Sequence, residues 1–326
     1  MQNKLLLVAD RNGYLHVLNS ENKKVLNKIQ VPNVADVGQG GLLDLKKHPK
    51  FLKNSLVYFT FSTKIKNGYT TALGTFEWKK KTPQNFQTLF VANAVETTTR
   101  HFGSRIALNK DKNKLFLSIG DRGERDKAQD LKFHNGKILR LNLDGTPANG
   151  NPFKNAPAIW SLGHRNPQGL FFDDQTNTLF EQEHGPRGGD EINVIVKGKN
   201  YGWPIITYGK EYWGPSIGEG TEKKGLEQPI KYYVPSIAPC GLLLYRGDKY
   251  PGWNGNLFSG ALKLRHLNRV ELQTKKQKQQ MTFLAGKEER LFEKLNQRVR
   301  YITVDKEQWL YFTTDSGEIY RIEKAN

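Results

Sequence analysis

Six times along the chain, a short apolar strand ends in small or acidic residues and a second strand follows. The first members begin at Leu5 (LLLVAD), Leu56 (LVYFTFS), Leu115 (LFLSIGD), Leu179 (LFEQEHG), Leu257 (LFSGAL) and Leu310 (LYFTTD). Their partners run over 14–18, 70–78, 137–143, 191–196, 267–272 and 318–322. Several alternate apolar and polar residues, as in ILRLNL and IYRIE, which is the period of a half-buried strand. The repeat spacing varies over roughly fifty to eighty residues, in the range of propeller blades. Helical periodicity is nearly absent. The pattern predicts an all-β chain, a six-bladed β-propeller of four-stranded antiparallel blades, as a single domain over 1–326. A pair of β-sandwiches does not account for six similar units. The chain opens inside what reads as a blade strand.

Composition limits the rest. Hydrophobic residues make up 37% of the chain, enough for a substantial core, and the one cysteine, Cys240, excludes an intrachain disulfide. No apolar run approaches the length of a membrane span. The opening MQNKLLLVADRNG is too short an apolar stretch for a signal-peptide core. The net charge of +18 comes from lysines scattered over expected loops (Lys23-Lys24, Lys46-Lys47, Lys79 to Lys81, Lys275-Lys276). With no recognition helix or RNA-binding aromatic motif in view, nucleic acid is not an expected partner. The charge reads as a solvated surface, with an anionic cofactor or an acidic redox partner as a further cause.

The richest chemistry lies between Ser161 and Pro204: SLGHRNPQGLFFDDQTNTLFEQEHGPRGGDEINVIVKGKNYGWP. Arg165 and Asn166 are adjacent, and Pro167 biases Asn166 towards an extended backbone. Neighbours on an extended backbone point opposite ways. Gly163 and Gly169 allow the bend that both would need to face one site. Further on, Gly185-Pro186 offers carbonyl oxygens in a loop that lacks one N–H donor, which suits a hard cation. Lys263 and Arg265, and again Arg298 and Arg300, are spaced two apart. On a strand each pair shares a face and would point into one cavity. His48 reads as a packed structural histidine. Asp121, in GDRG, reads as a turn or strand-end residue.

The segments GHRNPQGL, EHGPRGGDEIN and NYGWP, in that order, resemble the soluble pyrroloquinoline-quinone (PQQ) sugar dehydrogenases, in particular the aldose sugar dehydrogenase branch. The resemblance runs from about Gly38 to Ile322, and relatives carry another strand before the position of Lys4. VGQGGLLDL is similar to the family segment in which Gln39 would reach a central cavity, using its amide on a polar ligand. HFGSR is similar to the segment that carries the base histidine, here His101. The residue before that histidine is often acidic in the glucose-preferring relatives. It is Arg100 here, as in the broader aldose branch. The family places a cofactor-contacting tyrosine after NYGWP, where Tyr212 fits. At Tyr301, relatives mostly carry an Asp.

The resemblance implies PQQ and Ca²⁺ as cofactors. Arg165, Lys263, Arg298 and Arg300 would neutralise the three carboxylates of PQQ, Arg through its fixed fork and Lys as a point charge. Asn166 and Arg265 complete the expected cofactor contacts. The family assigns the catalytic ion to the carbonyls of Gly185 and Pro186, and a second, structural ion to the neighbourhood of Glu191 and Tyr201. His101 would remove the anomeric proton of an aldose while hydride passes to the quinone, and Arg165 would stabilise the negative charge that develops. The product would be a lactone, with electrons passed to an external acceptor. Periplasmic or secreted location follows from the same resemblance. Two alternatives belong to other classes. A calcium propeller lactonase would hold its metal with axial carboxylates and Asn, where this chain offers cations. A non-catalytic propeller that binds a protein partner would lack His101 and the cationic pairs.

Overall fold

The computed structural model describes residues 5–277 and 280–323. Six antiparallel sheets account for nearly all of its regular structure, and the fold class is the six-bladed β-propeller. The strand pairs read from the sequence are all neighbours within a sheet. The one α-helix among the described residues is a single turn, Phe51–Asn54. Contacts cluster the chain into two compact units, Met1–Asn166 and Pro167–Asn326, with three sheets in each.

In the first unit, β1 (Leu5–Asp10), β2 (Tyr14–Asn19) and β3 (Val25–Gln30) form a sheet of three strands among the described residues. A four-stranded sheet follows: β4 (Leu42–Lys47), β5 (Leu56–Ile65), β6 (Gly68–Lys79) and β7 (Thr82–Val91). The third has β8 (Ile106–Leu108), β9 (Lys114–Ile119), β10 (Lys137–Asn142) and β11 (Ile159–Leu162). The core lies between neighbouring sheets. Leu15, Val31, Val57, Phe59, Phe61 and Phe76 fill one interface, and Tyr58, Leu73, Ile106, Leu117, Leu139 and Ile159 fill the next. Each fully buried aliphatic or aromatic side chain stabilises by roughly 1.5–3 kcal/mol against exposure.

In the second unit, β12 (Pro167–Asp173), β13 (Thr178–Glu183), β14 (Asp190–Ile195) and β15 (Lys231–Tyr233) form one sheet. The next has β16 (Pro239–Leu244), β17 (Leu257–Ala261), β18 (His266–Gln277) and β19 (Gln280–Leu291). The last has β20 (Val299–Val304), β21 (Leu310–Thr314) and β22 (Ile319–Arg321), three strands among the described residues. Phe180, Ile192, Leu244 and Val270 fill one inter-sheet core, and Leu243, Tyr245, Phe258, Ile302 and Phe312 the other.

One irregularity recurs. The first strands of four sheets, β4, β12, β16 and β20, each shift register near their start: at Leu42/Asp44, Pro167/Gly169, Cys240/Leu243 and Val299/Tyr301. A bulge adds twist and re-aims the side chain that falls in it. Gln168 and Arg300 fall in two of these bulges.

Candidate active site

In the first unit, β8 and β9 are antiparallel, with Ile106 opposite Leu117. That register sets the segment before β8 beside the segment after β9, so His101 meets Asp121. His101 Nδ1 lies 2.7 Å from an Asp121 carboxylate oxygen, and both residues are buried. His101 adopts φ +55°, a left-handed conformation that costs a non-glycine residue about 1 kcal/mol or more and clusters at functional sites. Three neighbours hold it there. Its N–H donates to Gln39 Oε1 at 2.8 Å. Gly120 packs against its carbonyl so closely that a Cβ on Gly120 would stand 2.0 Å from His101 O. Arg122, fully buried, stacks on Phe102 with 3.5 Å to the ring centroid and donates to the carbonyls of Arg100 and Thr98.

The backbone N–H of Asp121 also donates to Arg165 O at 2.7 Å, which brings Arg165 to the pair. Gly163 supplies the bend before it, at φ +78°. Burial holds the His101 imidazole below its usual pKa, and the charges of Arg165 and Arg100 act in the same direction, against the opposing pull of Asp121. Burial pushes the Asp121 carboxyl up. Its bond to His101, the charges of His101 and Arg165, and the Gly123 N–H outweigh this and leave it below its usual value. The pair is therefore a neutral imidazole on an ionised carboxylate at neutral pH. Nδ1–H donates to Asp121, and Nε2 is the nitrogen that can take a proton.

This corrects the reading of Asp121 as a turn residue alone. It does close a turn, accepting from Gly123 N–H at 2.7 Å, but the same oxygen holds the histidine. Gln39 differs in part from expectation: its carbonyl oxygen is committed to His101, and its NH₂ is the half left for a ligand.

In the second unit, the loop from Gly185 to Asp190 is tightly folded. A Cβ on Gly185 would stand 2.3 Å from Gly188 O and Gly189. Asp190 pins the loop: it accepts from Gly185 N–H at 2.9 Å and from Ser236 Oγ and the N–H groups of Ile237 and Ala238. A compact loop with a proline nitrogen that cannot donate fits a carbonyl-binding cation. Beyond it, Tyr201 gives its hydroxyl to Val194 O and accepts from Val196 N–H. Its phenol is thereby committed to closing the turn after β14, so a metal here would be held by the main-chain carbonyl and not by the phenol. Glu191 stands on β14 beside Glu181 and Glu183 of β13. Burial and the Glu183 charge push the Glu181 and Glu191 carboxyls well above the usual range, so this cluster also fits a cation.

Arg298 and Arg300 converge on one carboxylate, but not through the strand period: Arg298 precedes β20 and Arg300 falls in its bulge. Arg300 forks onto Asp315 at 2.6 and 2.9 Å, and Arg298 Nε reaches it at 2.7 Å. Asp315, missed in the sequence, is the carboxylate that orients both arginines. Lys263 and Arg265 require a correction. They lie in the turn between β17 and β18, not on a strand, so the two-residue period does not govern them. Arg265 is left-handed, at φ +55°, and its N–H closes the turn on Ala261 O. Both side chains are exposed, as is the Tyr212 ring at 68%.

A buried imidazole–carboxylate pair beside an arginine, on a six-bladed β-propeller, marks an enzyme of the propeller class. The family model described as Glucose / Sorbosone dehydrogenase matches residues 1–321, and the chain belongs to that family of oxidoreductases. It is 36% identical over 307 residues to the aldose sugar dehydrogenase YliI of Escherichia coli strain K12, spanning 91% of this chain and 80% of that protein. A solved glucose dehydrogenase is similar at 33% identity and TM-score 0.93, over 99% of this chain and 94% of that one. The PQQ-bound aldose sugar dehydrogenase of Streptomyces coelicolor is similar at 28% identity and TM-score 0.78, over 96% and 87%. No helix among the described residues is long and apolar enough to cross a membrane.

Proposed function

We propose that this chain oxidises the anomeric carbon of aldose sugars to lactones, with PQQ and Ca²⁺ as cofactors and an external electron acceptor. The observation that carries the reading is the His101–Asp121 pair: a neutral, buried imidazole fixed through Nδ1 at 2.7 Å. Such a ring accepts a proton at Nε2, which is what the anomeric hydroxyl must lose. Asp121 fixes the tautomer and stabilises the imidazolium that forms. Arg165, fixed through its own carbonyl to Asp121, is the nearby positive charge for an anionic transition state. When bound, PQQ supplies the hydride acceptor and calcium the Lewis acid that polarises it.

Lys263, Arg298 and Arg300 are the proposed cations for the carboxylates of PQQ, with Gln39, Asn166, Arg265 and Tyr212 as further contacts. Asp315 holds the two arginines as a pre-set fork. Gly185 and Pro186 are the proposed carbonyl donors of the catalytic calcium, and Glu191 with the Tyr201 carbonyl those of a structural ion. Arg100 beside His101 favours a range of aldoses over glucose alone. The periplasm or the exterior is the proposed location.

Dye-linked oxidation of a panel of aldoses tests this, using the full chain reconstituted with PQQ and calcium. Lactone production from several aldoses supports the reading. No turnover of any aldose by PQQ-loaded protein overturns it.

A further inference from the structure

The left-handed backbone at His101 does not stand alone. Gly103 follows at φ +66° and Ser104 at φ +73°. Glycine takes this conformation freely, whereas His101 and Ser104 must be held in it by their surroundings. Gln39, Gly120 and Arg122 act on His101 and on the residues before it. A different pair of groups meets the carbonyls that come after. Thr71 Oγ1 donates to Phe102 O at 2.7 Å and lies 3.1 Å from Ser104 Oγ. Thr60 Oγ1 donates to Ser104 O at 2.7 Å. Thr60, Thr71 and Ser104 are all fully buried.

Both threonines stand where the sheet pattern calls for hydrocarbon. Thr60 lies two residues after Tyr58 on β5, Thr71 two residues before Leu73 on β6, and Thr60 is paired opposite Leu73. All four therefore share one face. Tyr58 and Leu73 fill the core against Ile106 and Leu117 of the next sheet. Valine has nearly the shape of threonine and would extend that core with no hydroxyl to satisfy. What the hydroxyls add is a directed bond from one sheet to the segment that carries His101. Simple satisfaction of Phe102 O does not require Thr71, because Ser104 Oγ also reaches that carbonyl, at 3.1 Å. Ser104 moves with the segment, while Thr71 ties the segment to β6.

We propose that Thr71 and Thr60 are positioning residues for His101. Their hydroxyls fix the backbone over 102–104, and so keep Nδ1 on Asp121 and Nε2 aimed at the hydroxyl that loses its proton. The inference rests on the reading of His101 as the base. A reacting group displaced by about 1 Å can cost roughly 10²-fold in rate, even when the change lies away from the chemistry.

The test reads the His101–Asp121 bond directly. In the full chain without PQQ, the Nδ1 proton shared with the Asp121 carboxylate should give a far-downfield NMR signal. Its loss in His101→Ala and in Asp121→Asn assigns it. Thr71→Val should shift that signal or broaden it beyond detection while the chain stays folded by circular dichroism. With PQQ, calcium and saturating aldose, turnover of Thr71→Val should fall by about 10- to 100-fold. The aldose KM and the half-saturating PQQ concentration should stay within a few-fold of wild type. Thr71→Ser, which keeps the hydroxyl, should recover most of the signal and the rate. If Thr71→Val does not fold, Thr60→Val carries the same comparison. A folded Thr71→Val with an unchanged signal, or with wild-type turnover, would overturn the proposal, as would a Thr71→Ser variant as impaired as Thr71→Val. The sugar reading fails separately: no aldose oxidation by wild type, with the proton signal still lost in Thr71→Val, would sink that function and leave the threonines as the groups that set the ring.

Discussion

His101 and Asp121, twenty residues apart in sequence, meet at 2.7 Å with the ring held in the left-handed region of backbone space. The contact fixes the ring's tautomer and orientation together. Replacing Asp121 with Asn keeps the shape and removes the charge. Turnover should then fall, up to the roughly 10²–10⁴-fold that a general base contributes. Asp121 raises the imidazole's affinity for protons, so the acidic limb of kcat/KM should move to lower pH in the variant. An unchanged limb would show that Asp121 does not act on the base.

In the wild type the sign runs one way. A protonated imidazole cannot accept, so kcat/KM should decline as pH falls through the pKa of His101. Burial sets that pKa below the ordinary 6.5, so the decline should be centred on the acid side of that value. His101→Ala should bind PQQ nearly as well as wild type, lose turnover by about 10²–10⁴-fold and lose the limb. A variant that keeps the limb would place the base elsewhere.

Arg122 should matter for stability more than for chemistry. It is fully buried, holds the carbonyls of Thr98 and Arg100 and covers Phe102. Arg122→Ala leaves those carbonyls unsatisfied and opens a cavity, at a cost of about 2–4 kcal/mol. Denaturant unfolding checks this. A loss under about 0.5 kcal/mol would show that the clamp contributes little.

The six strand pairs were legible because alternation and apolar runs are local signals. The site was legible only where a motif carried it. Asp121 sits in GDRG and Asp315 in TDSG, contexts in which an acidic residue normally closes a turn. Nothing local shows that Asp121 also reaches back to His101, or that Asp315 holds two arginines. The strand placement of Lys263 and Arg265 failed for the opposite reason: their spacing imitates a strand, while the chain turns from Leu262 to the left-handed Arg265. The bulge at Arg300 was equally hidden, because it is a property of the pairing with β21 and not of VRY alone.

Arg300→Ala removes a fork that Asp315 has already set in place. The concentration of PQQ needed for half-maximal activity should rise at least about tenfold, as expected for a lost charged contact. Turnover at saturating PQQ should stay within a few-fold of wild type. Unchanged half-saturation, measured by reconstitution titration, would remove Arg300 from the cofactor's contacts.

The most direct measurement of the central claim is the absorption spectrum of the full chain with stoichiometric PQQ and calcium, before and after an aldose is added without oxygen. The account predicts that the oxidised cofactor band bleaches and the reduced band appears in wild type, with one lactone formed per PQQ. His101→Ala should make the same change far more slowly. A wild-type spectrum that stays oxidised in excess aldose, with PQQ shown to be bound, would contradict the account.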